Sequence, residues 1–207
     1  MGFDLDLTLA DTRTGIAATY DMLSERLGVH IDSALAVSRL GPPLEAELAH
    51  WLPPDEIPAA ARMFRDMYAD VAVPATTAMD GAAEAVEAVR RAGGGVIVVT
   101  GKQTDNARDT LRFLGLEVDE VVGSVFGAAK GEALAAFGAA AYVGDHIADI
   151  EAARAGGAVS VAVATGPYTA DELRDHGADV ILPDLTGFAA WYEDWRIREI
   201  GTVSTVT

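Results

Sequence analysis

The chain has 207 residues, half of them apolar, no cysteine and a formal net charge of −17. That size and apolar content suit one full domain with an insertion, or two small domains, rather than a disordered chain. Disulfides, thiol catalysis and cysteine metal sites are excluded, the negative field argues against nucleic acid as a partner, and no run nears the roughly 20 apolar residues of a membrane span.

Residues 1–12 form a short apolar stub that runs into acids. Residues 13–80 read as helical, with helices predicted over 15–27, 43–51 and 55–68 from apolar residues three and four apart. Gly28 suits the end of the first, and Pro53 and Pro54 close the second. Met63, Phe64, Met67 and Tyr68 read as a core stripe on the third. From Asp80 the texture changes to alternation. Helix 82–92 leads to strand 96–99, helix 104–114 to strand 121–122, and helix 131–137 to strand 141–143. Helix 147–155, strand 159–163 and helix 170–176 follow, and the small polar tail 201–207 is expected to be disordered.

Short, uniformly apolar runs alternating with helices predict an α/β fold, a Rossmann-like parallel sheet with helices on both faces. The expected division is a core of residues 1–12 and 81–207, with 13–80 inserted as a helical domain whose ends return to nearly the same place. With no basic segment followed by an apolar one at the start, a cytoplasmic protein without a membrane partner is expected.

In such sheets ligands bind beyond the carboxyl ends of the strands. Asp4 and Asp6 follow the first apolar run; Thr100, Gly101 and Lys102 follow 96–99; Lys130 opens helix 131–137; Asp145, His146 and Asp149 follow 141–143. Asp4 and Asp6 are two apart and share a side in extended chain. Two carboxylates about 4 Å apart repel by about 4 kcal/mol at an effective dielectric of about 20. Several of them on one edge call for raised pKa values or a hard cation, and oxygen-only ligands favour Mg²⁺ over Zn²⁺. A phosphate site in so acidic a chain needs local positive charge, and Lys102 and Lys130 are its two lysines. Lys102 reads equally as a site-edge or a surface residue. Asp145 also suits a helix N-cap. His146 is expected to orient its neighbours or lie exposed, and His30, His50 and His176 carry no motif.

The run Phe3-Asp4-Leu5-Asp6-Leu7-Thr8-Leu9-Ala10-Asp11 resembles the DxDxT signature of the haloacid dehalogenase-like hydrolases. Thr100, Lys130 and Gly144-Asp145-His146-Ile147-Ala148-Asp149 resemble that family's second, third and fourth motifs, in order. The resemblance runs from Phe3 to about Leu185; the helical insertion resembles the family's small cap. Thr100-Gly101-Lys102 with residues 106–115 and 166–177 looks closest to the phosphoglycolate phosphatase-like branch.

The resemblance implies a phosphatase acting on a small phosphorylated metabolite through an aspartyl-phosphate, as a monomer or homodimer. Asp4 would be the nucleophile and Asp6 the acid and base. Thr100 and the Gly101 amide would bind the phosphoryl group, and Lys130 would neutralise it. Mg²⁺ would be held by Asp4, the Asp6 carbonyl and Asp145, with Asp149 acting through water or another ligand. Arg39, before the loop Gly41-Pro42-Pro43-Leu44, is the cap residue expected at the substrate, and Arg62 and Arg65 are expected to be solvated. A phosphomutase, a pyrophosphatase and a non-catalytic phosphate-sensing or protein-binding module remain alternatives. Two departures stand out. Leu7 occupies a position where the family usually has a small residue, often glycine. Only three residues precede Asp4, where a strand commonly has about 5–6, so a start placed too far downstream or a truncated strand is expected.

Overall fold

The computed structural model describes the backbone of residues 1–203 and the side chains of residues 1–198. In chain order, β1 (Gly2–Phe3) and β2 (Ala10–Asp11) lead into α1 (Arg13–Leu27), α2 (Ser33–Ser38), α3 (Leu44–Leu48) and α4 (Ile57–Val71). The chain returns through β3 (Thr77–Ala78) to α5 (Ala82–Arg91), β4 (Ile97–Val99), α6 (Thr104–Leu114) and β5 (Glu120–Val122). Then come α7 (Lys130–Phe137), β6 (Ala141–Gly144), α8 (Ile147–Gly156), β7 (Val159–Val163), α9 (Ala170–Asp175), β8 (Val180–Leu182) and α10 (Phe188–Val203).

Six strands make one parallel sheet in the order β5-β4-β1-β6-β7-β8. The fold is the α/β class the alternation predicts. Strand β4 is buried on both faces because its residues serve two cores. Val98 packs with Phe3, Val89 and Leu111 on one side, and Ile97 and Val99 pack with Leu134 and Tyr142 on the other. Helix α6 shows the same economy: Ala107 and Leu111 face inward, and Gly115 at φ 67° ends it in the left-handed conformation.

Helices α1–α4 pack around a cluster of their own that includes Ile16, Tyr20, Leu23, Phe64, Met67 and Tyr68. They are joined to the sheet by a two-stranded antiparallel stem, with Ala10 opposite Ala78 and Asp11 opposite Thr77. Gly15 lets α1 reach the backbone of Ala72, where any side chain would collide.

Several elements depart from the expectation. Helix α2 has only one buried residue, Ala36, and rests on a side-chain cap from Asp32, so it carries no apolar period. Helix α3 stops at Leu48, and the rest of the expected 43–51 becomes turns. The stem strands are too short to show alternation, and β8 is an edge strand whose three residues are all half-buried. Helix α10 packs its aromatic stripe, Phe188, Trp191, Tyr192 and Trp195, against the core. Of the tail expected to be disordered, residues 204–207 lie outside the described residues, and 201–203 end α10.

Candidate active site

Strand β1 is short, and its neighbours hold it. Ile97 donates its amide to the Met1 carbonyl at 2.9 Å, and Asp4 donates its own to the Val143 carbonyl at 2.8 Å. Asp4 thus emerges at the carboxyl edge between β4 and β6. The chain then turns sharply. Leu7 stands at φ 59°, its amide bonds the Ala10 carbonyl, and its own carbonyl accepts from the Thr165 hydroxyl at 2.6 Å. A non-glycine residue there costs about 1–2 kcal/mol; Leu7 is buried, and burying a leucine contributes about 1.5–3 kcal/mol. The two terms nearly offset, which is how a bulky residue occupies this turn.

Lys130, 3% exposed at the start of α7, is the hub of the edge. Its Nζ donates to Asp4 Oδ1 at 2.9 Å, to Asp149 Oδ1 at 2.7 Å and to the Tyr142 hydroxyl at 3.0 Å. An ammonium has three protons, and each finds an acceptor. Tyr142 passes its own proton to the Val99 carbonyl at 2.6 Å. Asp145 accepts from the Thr8 hydroxyl at 2.8 Å. Two glycines make room for the acids. A side chain on Gly144 would strike the Asp149 carboxylate, and one on Gly166 would strike that of Asp145.

Asp4, Asp145 and Asp149 each bring a carboxylate oxygen to within 4.8 Å of the others, all three residues buried. Burial, opposed by Lys130 and aided by Asp149 and Asp6, pushes the Asp4 carboxyl up to about 6. Burial first, then the charges of Asp4 and Asp149, holds Asp145 well above the usual carboxylate range. For Lys130, burial works to lower the value, but Asp149 and Asp4 outweigh it and raise it. One ammonium against three carboxylates leaves surplus negative charge, and the donors are all hard oxygens. These residues therefore fit a hard divalent cation.

Asp6 belongs to a second pair. Its Oδ1 accepts from the Thr12 hydroxyl at 2.6 Å and faces Lys102 Nζ at 2.9 Å. The Lys102 side chain is only 6% exposed and also donates to the Tyr68 hydroxyl on α4 at 2.6 Å. Of the two positions open to Lys102, the structure gives it the site edge. Thr100 is buried, and its hydroxyl accepts from the Lys102 amide at 3.3 Å while donating to no described residue. Thr100, Gly101 and the acids lie on the floor of a cleft of about 840 Å³, open mouth included. Helices α1 and α4 and the loop around Gly41 roof it. Gly41 lies so close to the His146 ring that no side chain fits between them.

Arg39 is placed elsewhere. It is paired with Glu47 and packs over Trp51, outside the cleft lining. Arg65, expected on a solvated face, lines the cleft and pairs with Glu45 at 2.7 Å. Arg62 is exposed. The N-cap of α8 is His146, through Nδ1, and not Asp145; its ring is half-buried against Tyr168, and burial lowers its pKa. Sequence reasoning missed the contributions of Tyr142, Tyr68 and Gly166. A hydroxyl-bearing aromatic in an otherwise apolar buried strand is the signal that points to Tyr142.

An acid-rich strand edge with two lysines under a helical roof marks a parallel-sheet α/β fold with a metal-fitting centre. The sequence matches the family model of haloacid dehalogenase-like hydrolases over residues 1–154, and a related hydrolase-like model over 123–188. The chain belongs to the haloacid dehalogenase-like hydrolases. No curated protein matches it. Among solved structures, a haloacid dehalogenase-like family hydrolase from Streptococcus pneumoniae is 25% identical, with TM-score 0.79 over 92% of this chain and 96% of that one. A predicted phosphatase from Clostridium acetobutylicum is 20% identical, with TM-score 0.80 over 93% and 97%. A predicted phosphoglycolate phosphatase from Haemophilus somnus is 22% identical, with TM-score 0.77 over 92% and 96%.

Proposed function

We propose that this hydrolase is a Mg²⁺-dependent phosphatase that removes phosphate from a small phosphorylated metabolite through an aspartyl-phosphate. The observation that carries the reading is the asymmetry of two carboxylates at the cleft floor. Lys130 holds one oxygen of Asp4, and Thr12 and Lys102 hold one oxygen of Asp6. The second oxygen of each has no protein partner among the described residues. Asp4 is then free to attack phosphorus while Asp6 protonates the departing ester oxygen, and the phosphorus–oxygen bond breaks. Asp6, now a carboxylate, takes a proton from water, which attacks the phosphorus and releases phosphate and Asp4. The unspent Thr100 hydroxyl and the Gly101 amide suit the equatorial phosphoryl oxygens, and Lys130 balances their charge.

Asp4, the Asp6 carbonyl and Asp145 would hold Mg²⁺, with Asp149 assisting through water. The ion would neutralise charge on the phosphoryl oxygens and let a dianion approach Asp4. Residues 13–80 would act as the cap over a core of 1–12 and 81–207, keeping bulk water from the aspartyl-phosphate. The resemblance implies a phosphoglycolate-like substrate, and the likeness to the Haemophilus somnus protein points the same way; the apolar residues of the cleft roof weigh against a second anionic group.

The test is phosphate release from a panel of esters with Mg²⁺ and with EDTA, beside Asp4→Asn. Metal-dependent release that the substitution abolishes is expected. Wild-type turnover in Asp4→Asn would remove the nucleophile, and Mg²⁺ binding without any turnover would favour a phosphate-sensing module.

A further inference from the structure

The roof of the cleft differs in character from its floor. Ile16, Leu40, Leu44 and Phe64 line it from the helical insert, and Phe126 lines it from the core. The cations that reach the cleft are all engaged: Lys130 with Asp4 and Asp149, Lys102 with Asp6, and Arg65 with Glu45. A second anionic group on a substrate would meet these apolar walls, the uncharged Gln103 and Asn106, and cations already paired, of which Arg65 alone is partly exposed and held by an exposed partner, so its lost hydration would be poorly compensated.

One polar group on the roof has no hydrogen-bond partner among the described residues. Tyr20 is 3% exposed and lines the cleft, yet its hydroxyl makes no hydrogen bond to any described residue. That oxygen keeps access to the cleft, where a bound ligand can reach it. Tyr68, the other roof phenol, is already bonded to Lys102.

We propose that the leaving group is neutral and mainly apolar, an aryl-bearing or branched alkyl alcohol carrying one hydrogen-bond acceptor for the Tyr20 hydroxyl, and that a second anionic group is selected against. This rests on the phosphatase reading of the floor and names the ester that the roof admits. Phosphoglycolate is then a poor substrate, despite the likeness to its phosphatases.

The experiment measures kcat/KM with Mg²⁺ for 2-phenoxyethyl phosphate, 3-phenylpropyl phosphate and phosphoglycolate. These are all primary alkyl esters, so leaving-group strength does not set the order. Both aryl-bearing esters are expected to exceed phosphoglycolate by about tenfold or more, the scale of discrimination an apolar pocket gives. Tyr20→Phe is expected to raise KM severalfold for the ether-containing ester and to leave the phenylpropyl ester unchanged. In Leu40→Lys, which adds an unpaired cation to a half-buried loop position, the preference should move toward phosphoglycolate. Phosphoglycolate turned over as well as or better than the aryl-bearing esters would overturn the inference and leave the phosphatase reading standing. Release from none of the three, or from any wider panel, would overturn both. Equal effects of Tyr20→Phe on the two aryl-bearing esters would remove the hydroxyl contact.

Discussion

Replacing Asp4 by asparagine is expected to abolish turnover and yet to stabilise the metal-free protein. The folded protein holds the Asp4 carboxyl at about 6, against an ordinary 3.8. That is roughly two units at about 1.4 kcal/mol each, or about 3 kcal/mol. Between about pH 4 and pH 6 the folded chain holds the Asp4 proton more tightly than the unfolded chain, so this site makes stability fall as pH rises. Below about pH 4 both states are protonated and the penalty vanishes; above about pH 6 it is complete. Asparagine mimics the protonated form and never incurs it. Its oxygen can still accept from Lys130, which keeps Asp149 as its ionic partner.

For a chain of this size, about 3 kcal/mol corresponds to a rise in melting temperature of about 6–12 °C. Thermal melts of both proteins in EDTA at about pH 4.5, 6 and 7.5 should show the gain of the variant growing with pH. Saturating Mg²⁺ should then narrow or reverse it, since metal binding stabilises only the protein that keeps the ligand. A variant less stable than wild type in EDTA at neutral pH would refute the reasoning, as would a gain of the same size at every pH.

Lys130→Met keeps the aliphatic stem and removes the ammonium, leaving two buried carboxylates unpaired. A loss of about 3–5 kcal/mol is expected, measured by denaturant unfolding in EDTA; adding Asp149→Asn should restore part of it, and simple additivity of the two changes would argue against the contact. Leu7→Gly relieves the left-handed backbone but deletes a buried side chain, so packing should win by about 1 kcal/mol. A more stable glycine variant would mean that turn strain dominates.

The sheet was legible because its strands are buried on two faces and so read as unbroken apolar runs, as Val98 and Val99 do. The floor of the cleft was legible because strand ends in such a sheet converge wherever they lie in sequence. What no local pattern encodes is which partner a side chain finds. Arg39 and Arg65 are both basic residues of the insert, and position alone favours Arg39, beside the loop that meets His146. Glu47 and Trp51, brought round by α3, draw Arg39 outward, while the approach of α4 to the sheet edge turns Arg65 inward. Tyr68 looked like core by its spacing, and it is; its hydroxyl nevertheless reaches Lys102 because α4 lies across the strand end.

Strand β1 sharpens the same point. Two residues cannot fix Asp4 by their own ladder. Asp4 is held instead from the sides: by β4 and β6 through backbone bonds at Met1 and Asp4, and by Lys130 from α7 at its carboxylate. Its second neighbour in the motif, Asp6, is set by a turn that closes on Leu5 and Ala10 and is pinned from afar by Thr165. Beyond that local turn and the Thr12 hydroxyl on Asp6, the positioning comes from contacts more than 90 residues away in sequence. A longer first strand would add ladder bonds below the site, where the burial of Phe3 already anchors the chain. It would add none at the carboxylates, whose placement depends on Lys130, Thr8 and the two glycines opposite.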